Sequence, residues 1–533
     1  MDAGWVASAP RYPAAKTLVA SLPAVEVGSV IDYEFERLRR DRPFFAMTHV
    51  FRGFDPIDQE TIKLTAPQSL ALQILKDDNG VAVPDETTAG PVIAQTTQRE
   101  KGKAAWQWKV SGQTPLKPED SLPPMQSFNP VLRVTAGSWP MYAQQVRTAL
   151  TEAAGGQTAA EQRAKEIVKQ ATSPDQKITA IRDFIVKNVR GAGPGLADLP
   201  LSAVTKADQT LADGYGNTTD RAVLLYAMLK AVGFSPEFIL VDYGSPVEVL
   251  KRFETQYPAA YTFDSVLVRL HDGATDVYLN DTNQYAQLGA TPAEGHLALS
   301  LAENKVETVA IPPENKTLRE YEYRITLTPE GNARIGVTRK SYGDWFAARH
   351  KMFDEMPPEE RNRFYQEMVA ELSQAAVADS NLTTNFDSYP GVESYSVQVQ
   401  RYAVRDGDYL YFELPRSLGR LFGLRSDTHE NPFYQGGDQS LQITTVVELP
   451  KGFSNVVLAP GQKEWRLPEG GGTARVRVTK QDPQGDGPTV LTFTHELDLN
   501  PFILEAAGYF DLLEIEKQLS HADARTVLVS QKK

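Results

Sequence analysis

Period-two alternation marks both ends of this chain, and a block of helical periodicity separates them. That order restricts the fold to β-rich flanks around an α+β centre. In Val30–Arg37, Ile31, Tyr33 and Phe35 alternate with Asp32, Glu34 and Glu36, the pattern of a half-buried strand. The same alternation returns at Leu70, Leu72 and Ile74 and at Trp106, Trp108 and Val110, with Pro and Gly breaks between. The first 150 residues therefore read as mainly β, an antiparallel sandwich.

The pattern changes after Gly155-Gly156, where residues 158–171 have helical composition. Ser173-Pro174-Asp175-Gln176 then reads as a helix start, with Ser173 as cap, Pro174 at the first position and Gln176 completing a capping box. Ile178, Ile181, Ile185 and Val189 form its apolar stripe. A second helix is predicted from Asp220 to Val232, ended by Gly233 and followed by strands at 238–241, 266–270 and 277–279. Beyond a Pro-rich hinge at 311–315, Tyr321 to Leu327 and Ala333 to Val337 predict a hairpin. One helix at 359–377 interrupts strands predicted at 397–402, 409–414, 441–449, 475–478 and 490–497. The expected organisation is multidomain α+β: a β-sandwich at 1–157, an α+β core at 158–312, and a second β-sandwich with a helical insertion at 313–533.

Composition narrows the chemistry. With 55 Lys and Arg against 68 Asp and Glu, the net charge of −13 repels phosphate backbones and argues against nucleic acid as a partner. No segment has the roughly 20 apolar residues that a membrane span requires, and Met1 to Ala20 lacks the apolar run of a signal peptide. The chain has no cysteine, which removes disulfides, thiolate ligands and every sulfur nucleophile. P-loop, GxGxxG, GxSxG, SxxK and HExxH motifs are absent, and the seven histidines show no metal-ligand spacing, so neither a metal nor a cofactor is expected. Acidic pairs such as Glu359-Glu360 read as a solvated helix face.

One segment, TLADGYGNTTDRAVLLYAMLKAVGFSPEFILV, runs a Gly-x-Gly turn straight into a helix and then a strand. Here the chain resembles bacterial transglutaminase-like proteins of the papain-like fold. Their turn carries Gly-Asp-Cys-Lys-Asp-Lys, with the cysteine at the helix start, where backbone amides favour a thiolate. The matching residues are Gly216, Asn217, Thr218, Thr219, Asp220 and Arg221, so Thr218 stands at the cysteine position. The family's Phe-Asn-His-Val is matched by Phe263, Asp264, Ser265 and Val266, with Ser265 at the histidine. Its aromatic-Leu-Asp-Pro-Thr is matched by Tyr278, Leu279, Asn280, Asp281 and Thr282, with Asn280 at the orienting carboxylate. Asp281 lies one residue away, on the other face of a regular strand.

The resemblance implies a papain-like core between two β-sandwich domains, with nucleophile, base and orienter all replaced. It also implies an exported, periplasmic or cell-envelope protein. The segment Leu22 to Phe35 resembles part of the leading domain, well past its usual start, which would make this chain a truncated or processed form.

Three readings stay open. The first is a catalytically degenerate protein that binds a peptide, glycan or protein partner through Tyr215, Asn217, Thr218, Asp220, Ser265, Asn280 and Asp281, or through the flanking sandwiches. The second is an enzyme of another mechanism, using Asp220, Asp264, Asp281 or His271. The third is a structural module of the cell envelope. An open polar cleft favours the first two, and a cleft filled by the protein's own side chains favours the third.

Overall fold

Two three-stranded antiparallel sheets pack face to face in the N-terminal region. The structure, a computed structural model, describes residues 5–14, 16–77, 93–244, 246–272, 275–482 and 487–531. The strands are β1 (Ala46–Val50), β2 (Ile57–Pro67), β3 (Gln73–Asp77), β4 (Ala94–Glu100), β5 (Lys103–Gln113) and β6 (Val131–Thr135), ordered β1-β6-β3 and β2-β5-β4. Alternation in β5 turns Trp108 and Val110 inward to meet Phe51, Leu132 and Val134, as the two-residue period requires. Leu70 lies exposed in the turn before β3, while Ile74 packs against the same cluster.

The strand expected at Val30–Arg37 is not formed. These residues join no sheet, and Val30, Tyr33 and Phe35 are 85 %, 82 % and 73 % exposed. Alternation describes a strand with one buried face, but here no neighbouring strand supplies the hydrogen bonds or the cover.

A second departure is helix α1 (Trp139–Ala154), within a stretch read as mainly β. Trp139, Tyr142, Val146 and Leu150 lie on one helical face and are buried, and Ser138 caps the first turn by accepting from the Met141 N–H. α1 shares one hydrophobic cluster with the helices that follow: α2 (Thr158–Ile167), α3 (Pro174–Asn188), α4 (Ala207–Asp213) and α5 (Thr218–Ala231). In α3 the Ser173 hydroxyl accepts from the Gln176 N–H as expected. The Gln176 amide oxygen reaches one residue further back, to the N–H and hydroxyl of Thr172.

Helix α5 is the axis of the core. Ala222, Val223, Leu224, Leu225, Ala227, Met228 and Leu229 are all buried, so it is apolar on nearly every side and is enclosed on nearly every side. The bridge between β7 (Arg190–Gly191) and β8 (Tyr215–Gly216) positions its entry turn, and Gly233, at φ +97°, closes its far end. A five-stranded antiparallel sheet packs beside it in the order β11-β10-β9-β12-β13. Its strands are β9 (Glu237–Asp242), β10 (Ser265–Asp272), β11 (Thr275–Leu279), β12 (Leu297–Ser300) and β13 (Lys305–Thr308), with α6 (Glu248–Gln256) inserted after β9. Pairing of Ser265 with Val241 and of Val268 with Leu279 fixes which residues end the strands beside the α5 entry turn.

In the C-terminal region β14 (Arg319–Leu327) and β15 (Ala333–Ser341) form the expected hairpin, and β14 also pairs in parallel with Gln439–Glu448. The resulting large sheet and a four-stranded sheet enclose one core that includes Ile335, Val397, Phe412, Ile443, Phe493 and Val527. Among the described residues three helices stand where one was expected: α7 (Gly343–Glu355), α8 (Pro358–Leu372) and α9 (Tyr509–Ser520). Helix α8 stops five residues short of the predicted 377, because Ala376–Ala378 pairs with Val397–Val399 as a strand. In α7 and α9 the buried stripes, Phe346 with Phe353 and Tyr509 with Leu512, Leu513 and Leu519, lie in short segments flanked by strand pattern. No helix among the described residues is long and apolar enough to cross a membrane.

Candidate functional site

The entry turn of α5 brings Thr218 to the first helical position, with Asn217 as the cap. The Asn217 side-chain oxygen accepts from the Asp220 N–H at 2.8 Å, and its amide group donates to the Pro194 carbonyl at 2.8 Å. Capping therefore falls to Asn217, and the exposed Thr218 side chain is left out of it.

Asn280 directly follows β11 and turns back toward this point. Its amide nitrogen donates to the Thr218 carbonyl at 2.8 Å and to the Val266 carbonyl at 2.8 Å, so one side chain ties the first residue of α5 to the start of β10. The backbone there has φ +95°, a left-handed conformation that Asn adopts more readily than most residues. Ser265, next to Val266, donates its hydroxyl to Asp264 at 3.2 Å. The structure thus brings together the main chain at Thr218 and Val266 and the side chain of Asn280. No hydrogen bond links the side chains of Thr218, Ser265 and Asn280 to one another among the described residues.

Asp281 faces elsewhere. It accepts from the Thr291 hydroxyl and, at 3.1 Å, from the Tyr243 hydroxyl, while its second oxygen is buried without a partner. Burial pushes its carboxyl up to about 6, even though both hydroxyls favour the ionised form. The same burial, with the Asp281 charge beside it, raises the Tyr243 phenol.

Tyr215, Asn217 and Asp220 are engaged by a segment from the far end of the sequence. The Tyr12 hydroxyl donates to Asp220 at 2.5 Å and accepts from the Asn217 N–H at 2.6 Å. Arg11 pairs with Asp213 and Asp220 and stacks over the Tyr215 ring at 4.8 Å. Gly193 gives the tyrosine ring its place, since a Cβ there would come within 2.4 Å of it. The other Asp220 oxygen accepts from the Thr205 N–H, so this carboxylate is fully committed to holding loops. Burial first, and then the hydrogen bond to Asp220 and its charge, raises the Tyr12 phenol. No local signal in the sequence marks Arg11, Tyr12, Tyr243 or Thr291, whose partners lie 10 to 209 positions away.

His271 lies at the opposite end of β10 from Ser265, about 20 Å away at ~3.3 Å per residue. It pairs there with Asp276 at 2.6 Å and Glu237 at 3.3 Å, which hold its imidazole pKa above the usual histidine range. It therefore takes no part in this site. No group of acidic and histidine side chains among the described residues is arranged to hold a metal ion.

Comparison with known proteins bears on the fold. Residues 161–249 match the transglutaminase-like superfamily, and residues 1–117 match DUF3857, a domain of unknown function with solved structures. No curated protein matches the sequence. The fold is similar to the crystal structure of a candidate protease from Parabacteroides distasonis ATCC 8503, with a TM-score of 0.54 and 14 % identity over 92 % of this chain and 76 % of that one. A candidate cysteine protease from Cytophaga hutchinsonii gives 12 % identity over 44 % of this chain and 73 % of that one, with a TM-score of 0.20, too low to indicate a shared fold.

Proposed function

From a transglutaminase-like core between β-rich flanks, we propose a protein that has kept the fold and given up its covalent chemistry, and that uses the cleft around Thr218 to bind a polypeptide partner. The carrying observation is the pair of hydrogen bonds from Asn280 to the Thr218 and Val266 carbonyls. A carboxylate in that pose would set acceptor against acceptor twice, so the side chain at the orienter position works as a brace between helix and sheet. The cysteine-free sequence supports the same reading, as does the Ser265 hydroxyl, which is bonded to its own neighbour. A hydroxyl at Thr218 needs a base to become a nucleophile, and no side chain among the described residues hydrogen-bonds to it. Polypeptide is favoured as the partner class because the similar Parabacteroides structure is of a candidate protease.

One observation favours the structural-module reading. Tyr12 is 6 % exposed and fills the groove between Gly193 and Asn217, so one side of the α5 entry is already occupied by the chain itself. Export to the cell envelope remains part of the proposal and is tested by cell fractionation.

The deciding experiment assays amine transfer and peptide hydrolysis in the unmodified protein and in Thr218→Ala. No turnover in either is expected. Turnover abolished by Thr218→Ala would establish a threonine-dependent enzyme, and turnover abolished only by Asp281→Ala would move the chemistry to that carboxyl. Binding is read by pull-down of peptides on Thr218→Trp against wild type, where equal capture would assign binding to another surface.

A further inference from the structure

Two backbone carbonyls bracket one imidazole where the N-terminal and C-terminal regions meet. His429 has its Nδ1 at 2.5 Å from the Asn431 carbonyl oxygen and its Nε2 at 2.9 Å from the Asp120 carbonyl oxygen. Its side chain is only 4 % exposed, packed against the Tyr509 ring of α9 at 5.0 Å and the Phe433 ring at 6.0 Å. A carbonyl oxygen can only accept, and a neutral imidazole carries one N–H. In either neutral tautomer one ring nitrogen would therefore turn a lone pair toward a carbonyl lone pair. The doubly protonated imidazolium is the form that gives each carbonyl a donor.

The charges around the ring agree. Glu119 lies 3.4 Å from Nδ1 and accepts from the Glu430 and Asn431 N–H groups at 2.9 Å each and from the Asn431 side-chain amide at 2.8 Å. Burial works against its charge, yet those donors and His429 hold its carboxyl below the usual range. From the same segment come Lys117, which pairs with Glu430 at 2.6 Å, and Asp120, which lies 3.7 Å from Arg425. The loop of His429 itself adds Asp427. Helix α9 adds the Tyr509 phenol, raised by burial, and Glu516, which accepts from the Leu421, Phe422 and Gly423 N–H groups. Four carboxylates, Glu119, Asp120, Asp427 and Glu430, thus stand around the ring against two cations, Lys117 and Arg425, an excess that one imidazolium reduces. The joint that these contacts make is completed by the Tyr434 N–H, which donates to the Ser121 carbonyl at 2.7 Å.

We propose that His429 is a proton-operated latch between the N-terminal sandwich and the C-terminal region. It is closed while the imidazolium gives one N–H to Asn431 and one to Asp120, and it loosens when the ring loses a proton and one carbonyl is left facing a lone pair. The latch stands on residues remote in sequence from Thr218 and does not rest on the reading given to that site. Its sign follows from linkage: the closed state holds the extra proton, so its stabilising effect is present in acid and is lost as pH rises. Protonation of Glu119 sets the opposite limit at low pH, because the ring then loses its carboxylate.

The test uses the full chain with 15N-labelled histidine, His429→Gln serving to assign the ring signals. At about pH 6 both His429 ring nitrogens should resonate as N–H groups, and one should lose that signature on the way to about pH 9, free histidine titrating near ~6.5. Amide exchange at Glu430, Asn431 and Tyr434, expressed as protection factors so that the intrinsic effect of pH is removed, reads the joint itself. Protection should fall about tenfold or more over the same interval, in step with the ring. In His429→Gln, which has no proton to lose there, protection should not change with pH. A neutral ring at the acid end with the three amides fully protected would overturn the proposal. So would protection independent of pH in the wild type, or a fall of equal size in His429→Gln. If that variant does not fold, the ring signals and protection factors of the wild type decide between these outcomes.

Discussion

Tyr12 and Asp220, 208 positions apart, meet through a 2.5 Å hydrogen bond at the start of the central helix. The same phenol accepts from the Asn217 N–H, so the N-terminal segment and the α5 entry turn hold each other. Tyr12→Phe leaves that N–H without its acceptor and removes one donor from a buried carboxylate. A loss of about 1–3 kcal/mol in urea unfolding is expected. Hydrogen exchange should also accelerate at Asn217 and Asp220. Unchanged stability and exchange would mean that the segment merely rests on the core.

Asn280→Asp tests the brace between helix and sheet. The ionised side chain would face the Thr218 and Val266 carbonyls with no hydrogen to give, and should destabilise the protein by roughly 1–3 kcal/mol, more than Asn280→Gly, which also relieves the positive φ. The penalty should shrink as pH falls and be smallest below about pH 4, where the carboxyl is protonated in both folded and unfolded states and regains one donor. If Asp and Gly behave alike at every pH, the two carbonyl contacts do not govern this position.

Asp281 makes stability depend on pH. Its folded carboxyl titrates near 6, above its unfolded value, so the native state binds the extra proton. The stabilising contribution is complete below about pH 4 and is lost as pH rises through 6, amounting to roughly 2–3 kcal/mol. Asp281→Asn keeps an oxygen for Thr291 and Tyr243 and should flatten this slope. Urea midpoints between pH 4 and pH 8 measure it, and a parallel slope in the variant would assign the effect to another group.

Thr218→Cys should yield a reactive thiol without turnover. The first position of a helix lowers a thiol pKa, so iodoacetamide should label the variant and leave the cysteine-free wild type untouched. No acyl transfer should follow, because Ser265 stands at the position of the base and the members of such a constellation act together. Peptide hydrolysis by this single variant would mean that a base exists near Thr218.

Where structure is local, the sequence was sufficient. Ser173-Pro174 starting α3, the Gly-x-Gly turn entering α5, Gly233 ending it and the β14–β15 hairpin all follow from short-range capping, turn and periodicity rules. The approach of Asn280 to Thr218 was also accessible, because the motifs fix which residues end neighbouring elements. It was the identity of the atoms that met, a side-chain amide and two backbone carbonyls, that the motifs did not contain.

Only the tertiary structure decided the rest. Residues 30–37 alternate as well as any strand in the chain, yet a strand exists only when another backbone completes its hydrogen bonds, and none does so here among the described residues. Arg11, Tyr12 and His429 are likewise ordinary polar residues in the sequence, and their roles arise from burial against partners 208, 209 and 309 positions away. Sequence alone determined where α3 and α5 start, where α5 ends and where β14 turns into β15, because those energies come from neighbours along the chain, whereas α1, α7 and α9 owe their helical state to packing. Which polar groups end up paired, and which are buried unpaired, depends on the low-dielectric surroundings that only packing creates.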